Sequence, residues 1–285
     1  MSSSSSRNLI VNWAARAGAL ARCSHPEPVL AVTAACAVLA LIAGRGWWTL
    51  VVIFAVLTGQ LFVGLTNDLL DVEQDRRAGR RDKPLARGEV APRDVRRAIA
   101  ATLLLTIVAS LANGIAAGSL HLVAVGAATL YNRGIKSTSF SVLPYAFAFG
   151  AVPSFITLGL PRSHLAPAWS TIAAAALGAG AHFTQALADI ESDREAGVGG
   201  LPARIGPVGS LVAAALLLGV SALAAVLGPG EPGKLQLVGL SLAVVLVGGI
   251  LVAGLSGRRR LSFRLTLAAA GAIALIFIGS GGKLS

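Results

Sequence analysis

The sequence predicts an all-α, polytopic membrane protein: a bundle of nine transmembrane helices with two pseudo-repeated halves. Three observations carry that reading. The 285 residues are 55% hydrophobic and only 13% charged, with a mean hydropathy of +0.74. Apolar runs near the ~20 residues that a helix needs to cross a hydrocarbon layer recur along the whole chain. A charged device is also written twice, as DVEQDRRAGRRDKP at 71–84 and DIESDREAGVGGLP at 189–202. A shift of 118 positions lays Asp71 on Asp189, Glu73 on Glu191, Asp75 on Asp193, Arg76 on Arg194, Pro84 on Pro202 and Gly88 on Gly206.

Residues 1–27 are expected to form a segment on the cytoplasmic side. It is Ser-rich at its start and lacks the basic-then-apolar layout of a cleaved signal peptide. Within it, residues 8–21 are a candidate amphipathic helix lying on the membrane. Residues 28–285 form the transmembrane domain, with spans expected over 28–44, 47–70, 96–113, 115–131, 139–160, 168–188, 207–228, 234–255 and 262–281. Alternating strand patterns are absent, and backbone in lipid must satisfy its own hydrogen bonds, so helices are the architecture that fits. The third and fourth spans meet at Asn113-Gly114 with almost no loop. Pro144 and Pro153 are expected to kink the fifth helix and widen a cavity. Trp47, Trp48 and Trp169 fall at span ends, as an interfacial aromatic belt would have them. Cys23 and Cys36 show neither a disulfide framework nor metal-ligand spacing, and Cys36 reads as inert core.

Nine spans place 20 of the 24 Lys and Arg residues on one face, which the positive-inside rule assigns to the cytoplasm. The net charge of +11 is then explained by topology and by attraction to anionic headgroups in the lipid bilayer, and no motif supports nucleic-acid binding. Acidic residues follow another logic. Eleven of 13 fall within 68–94 and 189–195.

The first acidic cluster reads NDLLDVEQD. Residues four apart share a helix face, so Asn67, Asp71 and Asp75 form one polar stripe. Gln185, Asp189 and Asp193 repeat that spacing at the end of the sixth span, with His182 one turn further in. Like charges at this spacing repel, so a cation must compensate. Mg²⁺ takes oxygen ligands and is usually held by one or two carboxylates together with substrate phosphates. Two facing stripes suit a metal-bridged diphosphate, with Asn67 and Gln185 adding neutral oxygens. Arg76, Lys83 and Arg194 are the cations nearby for the remaining phosphate charge. Asp68, Glu73, Glu191 and Glu195 read instead as solvated charges. His182 is expected to orient a ligand side chain. Among nearby aromatics, Phe62, Phe147, Phe149, Phe155 and Phe183 read mainly as packing, while Tyr145 carries a polar tip that needs a partner inside a span. His121, His25 and His164 fit no metal pattern.

NDLLDVEQD followed by DKPLARG resembles the first motif of the UbiA superfamily of intramembrane prenyltransferases, and DIESDREAGVGGLPARIG resembles its second. The resemblance implies a Mg²⁺ site at Asn67, Asp71, Asp75, Asp189 and Asp193, with Asp68 assisting. YNRGIK resembles the family's Tyr-x4-Lys element, which implies that Tyr131 and Lys136 hold the departing diphosphate. The chain departs from the 4-hydroxybenzoate-type pattern at Arg81-Asp82-Lys83-Pro84 and carries Gln185 where many relatives have Asn. The expected activity is Mg²⁺-dependent transfer of a prenyl group from a prenyl diphosphate to a small-molecule acceptor, aromatic or otherwise lipophilic. A terpene cyclase acting without acceptor is the alternative, and a transporter of an anionic metabolite a further one. The charges sit at helix ends rather than at the midplane, which disfavours the transporter.

Overall fold

In the computed structural model, the described residues are 17–77, 79–80, 82–187, 190–191, 199–280 and 284. They form helices and turns, with no strand among the described residues. A short helix, α1 (Ala17–Cys23), precedes α2 (Pro26–Ile42), α3 (Thr49–Arg77), α4 (Pro92–Ala112) and α5 (Ile115–Arg133). There follow α6 (Leu143–Leu158), α7 (Ala168–Ala186), α8 (Leu201–Leu227), α9 (Lys234–Leu255) and α10 (Arg259–Gly279). Each long helix packs on the next, and α10 returns to α2, so α2–α10 close into a ring. The shift of 118 residues that aligns the charged stretches also maps α2 onto α6, α3 onto α7, α4 onto α8, α5 onto α9 and α6 onto α10. The repeat is therefore a four-helix unit, with α10 added.

Among the described residues, six helices are individually long and apolar enough to cross a membrane: α3, α4, α5, α8, α9 and α10. With α1 and α2 taken as one bent span there are seven. Among the described residues, the nine helices α2–α10 follow the nine expected spans in order, and length and composition by themselves qualify these six or seven as membrane-crossing. α6 has only 16 residues, and α7 is diluted by Ala and Gly. α3 runs two turns past its expected end and α4 begins one turn before its expected start, because the charged residues outside the apolar runs still join the helices. Pro144 does not kink α6 but lies in its first turn, where no N–H is needed, whereas Pro153 is inside the helix. α8 contains a break at Gly206 (φ 77°, ψ 176°) ahead of Pro207, which marks the apolar span start expected there.

Small residues and local hydroxyl bonds dominate the packing, as expected where lipid removes the hydrophobic drive between helices. On α4, Thr102, Thr106 and Ser110 each donate to the carbonyl four residues earlier, so their polar groups are satisfied locally. Gly64 of α3 lies against the backbone of Ser24, where a Cβ would come within 2.5 Å of the Ser24 carbonyl oxygen. That close approach seats the 73° elbow between α1 and α2. Ala19 and Cys23 of α1 are buried against Leu65, Leu85, Val90 and Val95, so this part of the candidate interfacial helix is fastened to the protein.

At the face opposite the charged loops, the Arg45 guanidinium is 5% exposed. It donates to Asn113 Oδ1 (2.7 Å) and packs on Gly159, which has no side chain to exclude it. One cation thus joins the turns after α2, α4 and α6. Trp47 and Trp48 are exposed there, consistent with a belt, whereas Trp169 packs on Phe277 with ring centroids 5.2 Å apart.

Candidate active site

α3 ends in the first acidic stripe because its last two turns keep helical geometry after the apolar residues stop. Asp71 accepts from Lys136 Nζ at 2.5 Å, which brings the loop after α5 onto the α3 stripe. Asn132 Nδ2 donates to the Val63 carbonyl at 3.1 Å and holds the same junction one turn deeper. Asp75 is 8% exposed, and among the described residues no hydrogen bond or ion pair reaches its carboxylate. Lys83 and Arg80 act on it only at longer range, so this buried carboxylate leaves room for a directly bound cation.

Gln185 and His182 come from the last turn of α7. Tyr145 of α6 donates its hydroxyl to Gln185 Oε1 at 2.9 Å, so the polar tip finds its partner. His182 does not orient Gln185 directly, as the sequence suggested. Its Nε2 lies 3.1 Å from Ser141 Oγ, which also accepts the Leu201 N–H at 3.1 Å. His182 therefore ties α7 to the start of α8, and reaches Gln185 only through ring contact with Tyr145 (4.9 Å). Tyr131 meets Tyr145 edge-on at 5.1 Å and His182 at 5.6 Å. The Tyr131–Lys136 element thus lies between the two stretches, touching Asp71 on one side and the α7 cluster on the other. Gly200, at the end of the second stretch, packs on the Lys136 carbonyl so tightly that a Cβ would meet it at 2.4 Å. Asp189, Asp193 and Arg194 lie outside the described residues.

Two expected phosphate contacts, Lys83 and Arg76, and the assisting Asp68 are paired elsewhere. Lys83 is 2.6 Å from Asp68 Oδ1, with 11% and 1% side-chain exposure for the pair. His25 Nε2 lies 3.2 Å from the same carboxylate oxygen and 3.0 Å from Lys83 Nζ. His25 takes positive φ (58°) at the elbow, a costly conformation for a non-glycine residue that the surrounding contacts hold in place. Asp68 and Lys83 are consequently engaged in fastening the elbow to α3 rather than in facing a ligand. Arg76 pairs with Glu73 at 2.9 Å on the exposed side of α3. Glu73 and Glu191 behave as the solvated charges they were read to be, the latter forming a two-pronged pair with Arg259.

Beneath the polar residues lies an apolar cavity. Its walls include Val63, Ala128, Ala148, Phe149 and Ala181, each about one helical turn inward from Asn67, Tyr131, Tyr145 or Gln185. Along α2 it runs from Ala31 to Ile42, about 16 Å at ~1.5 Å per residue. Phe155 and Phe183 are buried packing and Phe147 is exposed, whereas Phe149 faces the cavity. Sequence reasoning passed over His25 and His121. Both acquire their contacts only from tertiary folding.

A charged cluster at the mouth of a greasy cavity, set in a ring of helices, meets its match in one known family: the model of the UbiA prenyltransferase family matches residues 29–266. The chain belongs to the UbiA prenyltransferase family. No curated protein matches its sequence. Among solved structures, the apo UbiA homolog from Aeropyrum pernix K1 is 21% identical with a TM-score of 0.74, over 88% of this chain and 97% of that one. A digeranylgeranylglyceryl phosphate synthase is 19% identical with a TM-score of 0.68, over 94% and 99%. A UbiA homolog from Archaeoglobus fulgidus, bound to DMAPP and Mg²⁺, is 20% identical with a TM-score of 0.64, over 92% and 97%. At these identities the structures share the UbiA fold with this integral membrane protein.

Proposed function

We propose that this UbiA-family chain transfers a prenyl group from a prenyl diphosphate to a lipophilic small-molecule acceptor. The observation that carries the reading is the buried Asp75, whose carboxylate takes no direct hydrogen bond or ion pair among the described residues, beside the Asp71–Lys136 pair at the mouth of an apolar cavity. Asn67, Asp71 and Asp75, with Asp189 and Asp193, would hold Mg²⁺, which when bound would neutralise charge on the leaving diphosphate. With Asp71 serving the metal, Lys136 would be the cation available to the diphosphate oxygens, with Tyr131 from the same element. The ring cluster of Tyr131, Tyr145 and Phe149 faces the place where the allylic carbon would lose its C–O bond. Aromatic faces can stabilise a desolvated cation by up to ~2 kcal/mol. The cavity excludes water from that carbon and receives the prenyl tail. Residues 28–285 make up this catalytic domain, with residues 1–27 as its cytoplasmic approach. The distribution of Lys and Arg supports a cytoplasmic active site.

Lipid-embedded protein given prenyl diphosphates of increasing length, with Mg²⁺ and lipophilic acceptors, should form prenylated acceptor by mass spectrometry and release diphosphate. Products without acceptor that are cyclic hydrocarbons or alcohols would replace transfer with cyclisation. No consumption of any donor would end both readings. Lys136→Met should weaken inorganic diphosphate binding about tenfold; unchanged binding would move that contact elsewhere.

A further inference from the structure

Three polar side chains line the apolar cavity; Thr266 donates to its own helix at the Ser262 carbonyl, and the proposed chemistry uses neither of the other two, His121 and Gln60. Ser110 has one hydroxyl proton, and it goes to the Thr106 carbonyl (2.5 Å). Ser110 Oγ must therefore accept from His121 Nδ1–H at 2.7 Å, and this fixes the tautomer. His121 Nε2 is left with a bare lone pair. The ring stacks on Phe155 at 4.6 Å, and Gly59 leaves space at its edge, since a Cβ there would lie 3.4 Å from His121 Cε1. Gln60, the next residue of α3, also lines the cavity, and among the described residues its amide has no hydrogen-bond partner. The remaining wall is almost entirely aliphatic. Two unsatisfied polar groups facing hydrocarbon cost on the order of 1–3 kcal/mol each, and lipid offers them nothing.

We infer that the deep end of the cavity is a recognition site for a hydroxyl group on a lipophilic ligand. The ligand O–H donates to His121 Nε2, and its oxygen accepts from the Gln60 amide. Gln60 precedes Asn67 by seven residues, so this site lies about 10 Å along α3 from the charged mouth. The inference rests on the proposed function only in taking the same cavity as the substrate site. It adds a substrate class: an oxygenated hydrophobe rather than a plain hydrocarbon tail.

Farnesol and its methyl ether test the site, because they share a tail and only the alcohol donates a proton. The protein in lipid, without Mg²⁺, should bind farnesol about tenfold more tightly than the ether. His121→Phe and Gln60→Leu should each bring the two ligands to similar affinity. In the unsubstituted protein, farnesol should also shift one histidine ¹⁵N resonance that the ether leaves in place, a readout that needs no variant to fold. Equal affinity for alcohol and ether, or a preference surviving in both variants, would overturn the inference. Prenyl transfer alongside equal affinity would sink this site alone. Alcohol preference in a protein that consumes no prenyl diphosphate would sink the proposed function alone.

Discussion

The loop after α3 and the loop after α7 carry the same charged residues 118 positions apart, yet they are fastened by different means. Their shared parts are geometric. Gly88 and Gly206 both take positive φ (76° and 77°), and Pro84 and Pro202 are both buried. Their fastenings diverge. The first loop is held by the buried Asp68–Lys83 pair with His25, but the repeat puts Ala186 and Leu201 at the positions of Asp68 and Lys83. The second is held by Ser141, which accepts from the Leu201 backbone, and by Arg259 on Glu191. Asp71 and Asp75 recur as Asp189 and Asp193, whereas the Asp68–Lys83 fastening has no counterpart in the second copy.

The largest expected effect tests whether Asp71 and Asp189 are equivalent. Asp71→Ala and Asp189→Ala should each lower turnover by about 10²–10³-fold in the donor assay, with membrane insertion intact. Near-normal activity in Asp189→Ala would make the second stretch a structural echo of the first. The next effect tests the fastening. Lys83→Met should cost about 3 kcal/mol in denaturant unfolding, because buried Asp68 loses its nearest cation and keeps only His25. Combining Asp68→Ala with Lys83→Leu copies the second loop and should restore most of that loss; if it does not, the pair contributes more than charge compensation. Tyr145→Phe removes the hydrogen bond to Gln185, and should raise the donor KM by severalfold, about 1 kcal/mol.

The smallest effect concerns Asp82, whose counterpart in the second loop is Gly200. Its hydrogen bond from Arg80 holds the Asp82 carboxyl below the usual carboxylate range. A depressed folded value means the contribution is present above the ordinary value of 3.8 and disappears as pH falls through the lower folded one. Asp82→Asn should therefore lower the thermal midpoint slightly at neutral pH and leave it unchanged in strong acid. A pH-independent loss would assign the effect to packing.

The helical bundle was legible from hydropathy, and the polar stripe of Asn67, Asp71 and Asp75 from spacing, since those residues follow helical periodicity without help from tertiary structure. Motif resemblance pointed to Lys136 as a diphosphate contact, and its pairing with Asp71 emerged only from the structure. What escaped were contacts between residues far apart in sequence. Nothing local in SHPEP makes His25 bend the chain toward Asp68, 43 positions away. Lys83 looked like a phosphate ligand because its partner lies on a neighbouring helical turn that only folding brings near. Pro144 misled because a proline inside an apolar run gives no sign of whether the helix has begun. His121 was passed over because its tautomer depends on Ser110, on another helix.

The buried Arg45 at the opposite face has a consequence for how the molecule can move. With three inter-helix turns sharing one guanidinium, separating any of them there strands a desolvated cation. That end would act as a fulcrum. Rearrangements that admit a bulky hydrophobe would then grow with distance from it, and be widest where the carboxylates are.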